Sequence, residues 1–148
     1  NKYPVHLYIL GTGPLQSEME NYIRSYELQD AVTMLGYQTN PYKYVAKCDL
    51  FVCSSFAEGF STATIEALIV GIPVCTVEVS GMREMLGDNE YGIITDNKDE
   101  ALYDAIERLL SDPKLLKYYK EKAIERGKMF STDITVKKVE DLFESLVE

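Results

Sequence analysis

The sequence predicts an α/β fold: a Rossmann-like parallel sheet with helices on both faces, followed by a helical C-terminus. Three observations carry this prediction. Short apolar runs rich in β-branched residues alternate with segments of helical periodicity from Val5 to Thr95. The runs are joined by short glycine-containing or polar segments, and strands alternating with helices pair in parallel. From Asp99 onward only helical spacing remains.

The first run, residues 5–10, reads as a buried strand stopped by Gly11-Thr12-Gly13. Pro14 suits a first helical position, and Leu15, Met19, Tyr22, Ile23 and Tyr26 recur at helical spacing behind it. Residues 31–35 form the next strand, closed by Gly36. Asn40 and Pro41 cap and start a helix of about two turns, with Tyr44 and Val45 toward the core. Strand 49–53, helix 62–70, strand 74–79, short helix 82–86 and strand 92–95 follow. Ala101, Leu102, Ala105, Ile106, Leu109 and Leu110 then make one amphipathic face. Asp112 caps and Pro113 opens a helix through Leu116, Tyr119 and Ala123 toward Phe130. Ser131 or Thr132 caps a last helix carrying Val136, Val139, Leu142, Phe143 and Leu146. Most of the 11 tyrosines stand at helical spacings and are expected in the core.

Composition narrows the function. At 148 residues the chain is one domain by size. Its net charge of −9 argues against a nucleic-acid surface, which needs a basic face. No apolar run approaches the ~20 residues of a membrane-spanning helix. Cys48, Cys53 and Cys75 lack metal-ligand spacing and read as buried thiols of a reducing, cytoplasmic compartment. The chain has no starting Met and is expected to be part of a longer polypeptide.

In parallel sheets, ligands bind at the carboxyl ends of the strands. The loops there hold Gly11-Thr12-Gly13, Gly36-Tyr37, Glu58-Gly59-Phe60-Ser61-Thr62 and Ser80-Gly81, and are expected to share one rim. The Gly-Thr-Gly lacks the third glycine of a dinucleotide fingerprint, since Gln16 stands in its place. The loop from Glu58 runs into a helix start, whose first amides have no internal partners and carry partial positive charge. Ser61 and Thr62 would present those amides and their hydroxyls to a phosphate; the alternative is a capped helix with nothing attached. Glu66 lies one turn inside an apolar helix, where a carboxylate needs a partner. A vicinal diol is one such partner, and solvent is the alternative. Glu58 and Glu66 as the acid and base of a glycoside hydrolase fit less well beside an anion site. His6, the only histidine, falls inside the first strand and reads as structural. Arg83 and Glu84 form a surface pair or reach the rim from the Ser80-Gly81 turn.

Together, several motifs in register resemble one known family. They are Gly36, Asn40-Pro41-Tyr42, Asp49-Leu50-Phe51-Val52, Ser54 with Glu58-Gly59-Phe60, Glu66-Ala67, Gly71 with Pro73-Val74, and Gly81 with Glu84. The chain looks like the C-terminal, donor-binding half of the retaining, nucleotide-sugar-dependent glycosyltransferases of family 4, which have the two-lobed GT-B fold. The resemblance covers roughly residues 5–110. It implies that Glu58 contacts the donor sugar near the reacting carbon, as the catalytic position. It implies that Gly59, Phe60, Ser61 and Thr62 hold sugar and diphosphate, and that Glu66 binds the ribose. Gly36 and Tyr37 would meet the base, and Gly11 and Gly13 would lie close to the nucleotide.

The expected reaction is sugar transfer from a nucleoside diphosphate to an acceptor hydroxyl with retention, in polysaccharide or glycolipid synthesis. No cofactor or metal is expected, and the nucleotide sugar is a substrate. The family's domain begins with a further strand and helix that carry an arginine and a lysine. Residues 1–148 would therefore be a single donor-binding domain without that strand and helix, and without the N-terminal acceptor domain. Such a chain is expected to be inactive alone and to bind UDP or GDP at millimolar affinity or not at all. The complete protein is expected in the cytoplasm, free or peripheral at the inner membrane face. Two other readings compete: a nucleotide-sugar epimerase, which usually relies on several histidines, and a non-catalytic module that binds a partner protein.

Overall fold

The computed structural model describes residues 3–146. Its chain forms two compact units, Asn1–Pro41 and Tyr42–Glu148. The first contains β1 (Leu7–Leu10), α1 (Gln16–Ser25) and β2 (Val32–Gly36). β1 and β2 pair in parallel, Leu7 opposite Val32, with an irregularity after Ile9 that brings Leu10 opposite Gly36. His6 lies just before β1 rather than inside it, and its Nε2 lies 2.8 Å from Thr33 Oγ1.

Two expectations fail in this unit. β1 is not buried, because Leu7 and Tyr8 remain about half exposed. Likewise Leu15, Met19, Tyr22 and Tyr26 stand in solvent, and α1 has no buried residue. Two strands and one helix offer too little chain to close a core of their own. Tyr37, Tyr42, Tyr103 and Tyr118 are exposed as well, while Tyr119 is buried, so the tyrosines are mostly not core residues.

The second unit follows the alternating order. It contains α2 (Tyr42–Val45), β3 (Phe51–Cys53), α3 (Thr62–Ile69), β4 (Val74–Val77), α4 (Met82–Glu90) and β5 (Ile93–Thr95). Helices α5 (Asp99–Ser111), α6 (Pro113–Lys128) and α7 (Thr132–Ser145) complete it. The strands form a parallel sheet in the order β3-β4-β5, so the strands of the chain are divided between two sheets. β4 is central and all four of its residues are buried. Successive strand residues point to opposite faces. Val74 accordingly joins Ala67, Leu68, Met82, Met85 and Leu86 from α3 and α4. Cys75 joins Ala105, Leu109 and Tyr119 from α5 and α6. Helices cover both faces of this sheet.

The caps of α6 and α7 are those the sequence indicates, whereas α1 begins at Gln16 behind Leu15 rather than at Pro14, and α2 begins at Tyr42 rather than at Pro41. Asp112 accepts hydrogen bonds from the amides of Lys114 and Leu115, with Pro113 at the helix start. Ser131 accepts from Ile134 N–H at the start of α7. α2 is one turn rather than two, because Lys47 and Cys48 donate to the carbonyls three residues back and tighten the chain. α4 runs past residue 86, but Gly87, Asp88 and Asn89 leave helical geometry and kink it there. The guanidinium of Arg126 takes up the carbonyls ahead of this kink, donating to Met85 O (2.8 Å) and to Glu84 O. α7 forms where expected, yet Val136, Val139, Leu142 and Phe143 are exposed along it. Cys48, Cys53 and Cys75 are free thiols, the last two buried.

Candidate functional site

The second unit assembles its polar residues where β3 leaves the sheet. Beyond Cys53 the chain passes through an irregular loop to Ser61 and enters α3. Ser61 has extended geometry and is the N-cap of α3: its Oγ accepts from Thr64 N (3.4 Å) and Thr64 Oγ1 (3.1 Å). With 5% exposure, Ser61 turns its hydroxyl inward. As the cap, Ser61 Oγ accepts both hydrogen bonds, and its own O–H remains able to donate to an anion at the helix start. Thr62 is exposed at the first helical position. A capped helix start keeps partial positive charge on its leading amides, so this end of α3 suits an anion.

Glu58 is half-buried in the loop before that helix, and Ser55 Oγ donates to its Oε1 at 2.6 Å. Hydrogen bonds to a carboxylate are short and orienting. Ser55 is tied in turn: its Oγ lies 3.5 Å from Cys53 Sγ, and Asn97 Nδ2 donates to its carbonyl at 3.4 Å. The loop carrying Glu58 is thereby anchored to the end of β3 and to the turn after β5.

Gly59 and Phe60 lie against a second turn. Gly81 caps α4 at φ +80°, and a Cβ there would stand 2.8 Å from the Gly59 carbonyl and 3.0 Å from Phe60 Cδ2. Only glycine combines that left-handed backbone with so close an approach. Around Gly59 itself an added Cβ would meet nothing within 4 Å, and Phe60 is about half exposed, so this part of the loop opens outward.

Glu66 sits on α3, half-buried, and accepts a hydrogen bond at 3.0 Å from the hydroxyl of Tyr42. A carboxylate in an apolar helix thus has the partner its setting demands. Tyr42 lies in α2, which packs on α3.

Arg83 pairs with neither Glu84 nor the loop. Its guanidinium bridges Glu78 and Asp88, each at 2.5 Å, and those carboxylates hold it above its ordinary pKa. In the first unit, Gly11 and Gly36 meet directly, the Gly11 amide donating to the Gly36 carbonyl at 2.8 Å. Both have positive φ (114° and 63°). Added Cβ atoms at Gly11, Gly13 and Gly36 would meet nothing within 4 Å, and Tyr37 is 74% exposed.

The model of the family described as glycosyl transferases group 1 matches residues 1–126. This chain belongs to that family. A Campylobacter jejuni relative is 40% identical over 131 residues, which cover 87% of this chain and 36% of the relative. It is the N-acetylgalactosamine-N,N′-diacetylbacillosaminyl-diphospho-undecaprenol 4-alpha-N-acetylgalactosaminyltransferase. The chain thus spans about a third of that relative's length. Among solved structures, the sucrose-phosphate synthase of Thermosynechococcus elongatus superposes with a TM-score of 0.82 at 26% identity. The superposition covers 96% of this chain and 38% of the synthase. A TarM variant of S. aureus, crystallised with fondaparinux, alpha-GlcNAc-glycerol and UDP, gives 0.81 at 28% identity. That match covers 94% of this chain and 29% of TarM.

Within this group 1 chain, sequence reasoning did not assign the roles of the residues that hold Glu58 and Glu66: Ser55 was not singled out, and Tyr42 appeared only as part of the Asn40-Pro41-Tyr42 motif. Ser55 was legible only as a polar residue three positions before Glu58. Tyr42 stands 24 residues before Glu66, and nothing local signals that the two meet.

Proposed function

We propose that this chain is the donor-binding part of a retaining glycosyltransferase. The enzyme moves a sugar from a nucleoside diphosphate to an acceptor hydroxyl in polysaccharide or glycolipid synthesis. The observation that carries the reading is the pair of held carboxylates flanking the start of α3. Glu58 is fixed by Ser55 before the helix, and Glu66 is fixed by Tyr42 one turn inside it. The α3 amides lie between them in sequence and suit a diphosphate.

In this reading Glu58 is the catalytic position and meets the sugar hydroxyls near the reacting carbon. Gly59, Phe60, Ser61 and Thr62 hold the sugar and diphosphate. Glu66 accepts from the ribose hydroxyls. Gly11, Gly13, Gly36 and Tyr37 serve the nucleotide and its base. Catalysis is chiefly orientation, with the leaving diphosphate stabilised by helix amides. No metal takes part, and the remaining positive charge and the acceptor site come from other parts of the polypeptide. A span of about a third of the C. jejuni relative agrees with that division. The same relative's name specifies a diphospho-undecaprenol acceptor, which supports work at the cytoplasmic face of a membrane. UDP in the TarM complex supports a nucleoside-diphosphate donor.

The test is a mass-spectrometric screen of nucleotide sugars against the complete polypeptide, with Glu58→Gln beside it. Turnover of one donor by the unsubstituted protein, lost by at least about a hundredfold in Glu58→Gln, is expected. Turnover of none, or an unchanged rate in Glu58→Gln, would overturn the reading in favour of a non-catalytic module.

A further inference from the structure

Glu66 is held by Tyr42 from the neighbouring turn α2. We propose that Tyr42 is a positioning residue: its hydroxyl orients the Glu66 carboxylate and thereby sets the preference for ribose over deoxyribose. The inference rests on the reading of Glu66 as the ribose-binding residue and adds the group that makes it selective.

The geometry is specific. An ionised carboxylate has two oxygens and about four lone-pair directions. Tyr42 occupies one direction on Oε1 at 3.0 Å, leaving the other on Oε1 and both on Oε2 for a ligand. A vicinal diol has two hydroxyl donors and fits that remainder. Without the tyrosine, a glutamate side chain on a helix rotates about three bonds, and ordering it on ligand binding costs conformational entropy. With the tyrosine that ordering is already done, as preorganisation requires. Tyr42 is itself carried on α2, a single turn packed against α3; its carbonyl accepts from Ala46 N at 2.9 Å, and Lys47 and Cys48 tighten the turn behind it. Hydrogen bonding to Glu66, and next the charge of that carboxylate, raise the Tyr42 hydroxyl above its ordinary pKa of 10.0. Tyr42 therefore remains a donor across the neutral and mildly alkaline range.

A tyrosine that only braced α2 on α3 would affect all nucleotides alike. One that orients Glu66 affects the contribution of the ribose hydroxyls alone. The experiment measures binding of UDP and 2′-deoxy-UDP, and of GDP and 2′-deoxy-GDP, to the complete polypeptide by calorimetry. Unsubstituted protein, Tyr42→Phe and Glu66→Gln are compared. The unsubstituted protein should prefer the ribonucleotide of the tighter-binding pair by about tenfold or more. Tyr42→Phe should lower that ratio about three- to fivefold, through weaker ribonucleotide binding with the deoxynucleotide nearly unchanged. Glu66→Gln should lower the ratio at least as far. A ratio in Tyr42→Phe equal to that of the unsubstituted protein, or an equal loss for both nucleotides, overturns the role of Tyr42. If Glu66→Gln leaves the ratio unchanged, or neither nucleotide pair binds, the assignment of Glu66 fails and the inference falls with it. Thermal unfolding of each variant confirms that the comparison is made between folded proteins.

Discussion

The contact between α6 and α3 yields the sharpest prediction about stability. Gly127, near the end of α6, is buried against the backbone of α3. A Cβ added there would stand 2.2 Å from the Leu68 carbonyl oxygen, 2.7 Å from its carbon and 2.9 Å from Ile69 Cα. The first distance is more than about 1 Å short of van der Waals contact. All three atoms belong to a helix backbone, so no side-chain rotation relieves the clash. In Gly127→Ala the helices must separate by about that amount. Leu68 is fully buried there, and a gap of that size forfeits about a quarter to a half of the dispersion contacts across it. Overpacking costs about 1–3 kcal/mol, a clash against helix backbone lying at the upper end, and alanine's better helix propensity returns at most about 1 kcal/mol. A net loss of about 2 kcal/mol is expected. Urea unfolding followed by far-ultraviolet circular dichroism reads it as a lower midpoint. Gly59→Ala is the control, since a Cβ there meets nothing within 4 Å and should change stability by less than about 0.5 kcal/mol. An unchanged or raised midpoint in Gly127→Ala would mean that propensity outweighs packing, and the close contact would be refuted.

Two further substitutions test the site and the core. Gly81→Ala combines a positive φ with a Cβ driven toward the Gly59 carbonyl; it should cost about 1–2 kcal/mol and displace the loop that carries Glu58. In the complete polypeptide it should raise donor KM, and an unchanged KM and kcat would show that the loop does not rest on that turn. Cys75, buried in β4, has its thiol pushed from an ordinary 9.0 up to about 12 by burial. Below about pH 9 both folded and unfolded chains keep the proton; between about pH 9 and 12 only the folded chain does. Stability should therefore fall by about 1.4 kcal/mol per pH unit through that window from this group alone. Cys75→Ala should make the alkaline decline shallower, and parallel declines measured by urea unfolding from about pH 8 to 11 would contradict the assignment.

Much of the second unit was legible because its signals are local. A Ser at a helix start, an Asp before a Pro, and apolar runs bounded by glycine each report on residues within a turn of themselves. α3, α6 and α7 accordingly begin where their caps indicate, α5 begins at Asp99 where helical spacing starts, and β3, β4 and β5 fall in the apolar runs. The misses depend on residues distant in sequence. β1 reads as buried from its composition, but burial requires covering elements that a two-stranded unit does not supply. Likewise, the kink at Gly87–Asn89 is stabilised from outside. Arg126 takes the carbonyls before it, and Tyr119 donates to the Asn89 carbonyl at 3.2 Å. In the candidate site, the two glutamates stand out because carboxylates are unusual in apolar settings. Their holders do not, since a serine in a loop and a tyrosine in a short helix are ordinary until their partners are known. At Ser61 the cap was legible from its place before an apolar helix, while its packing against Thr64 was not.

The position of Gly127 bears on how such domains are cut and exchanged. The match to the family model ends at residue 126, one position before the glycine on which the backbone of α3 rests. A boundary drawn from that likeness would divide α6 immediately after the arginine that takes up the α4 carbonyls. It would leave the helix bearing Glu66 without its shelf. A chimera that borrows this donor unit should therefore carry α6 whole, through Lys128. Those last residues touch no ligand in the proposed scheme, yet they belong to the smallest piece that can be transplanted with its geometry intact.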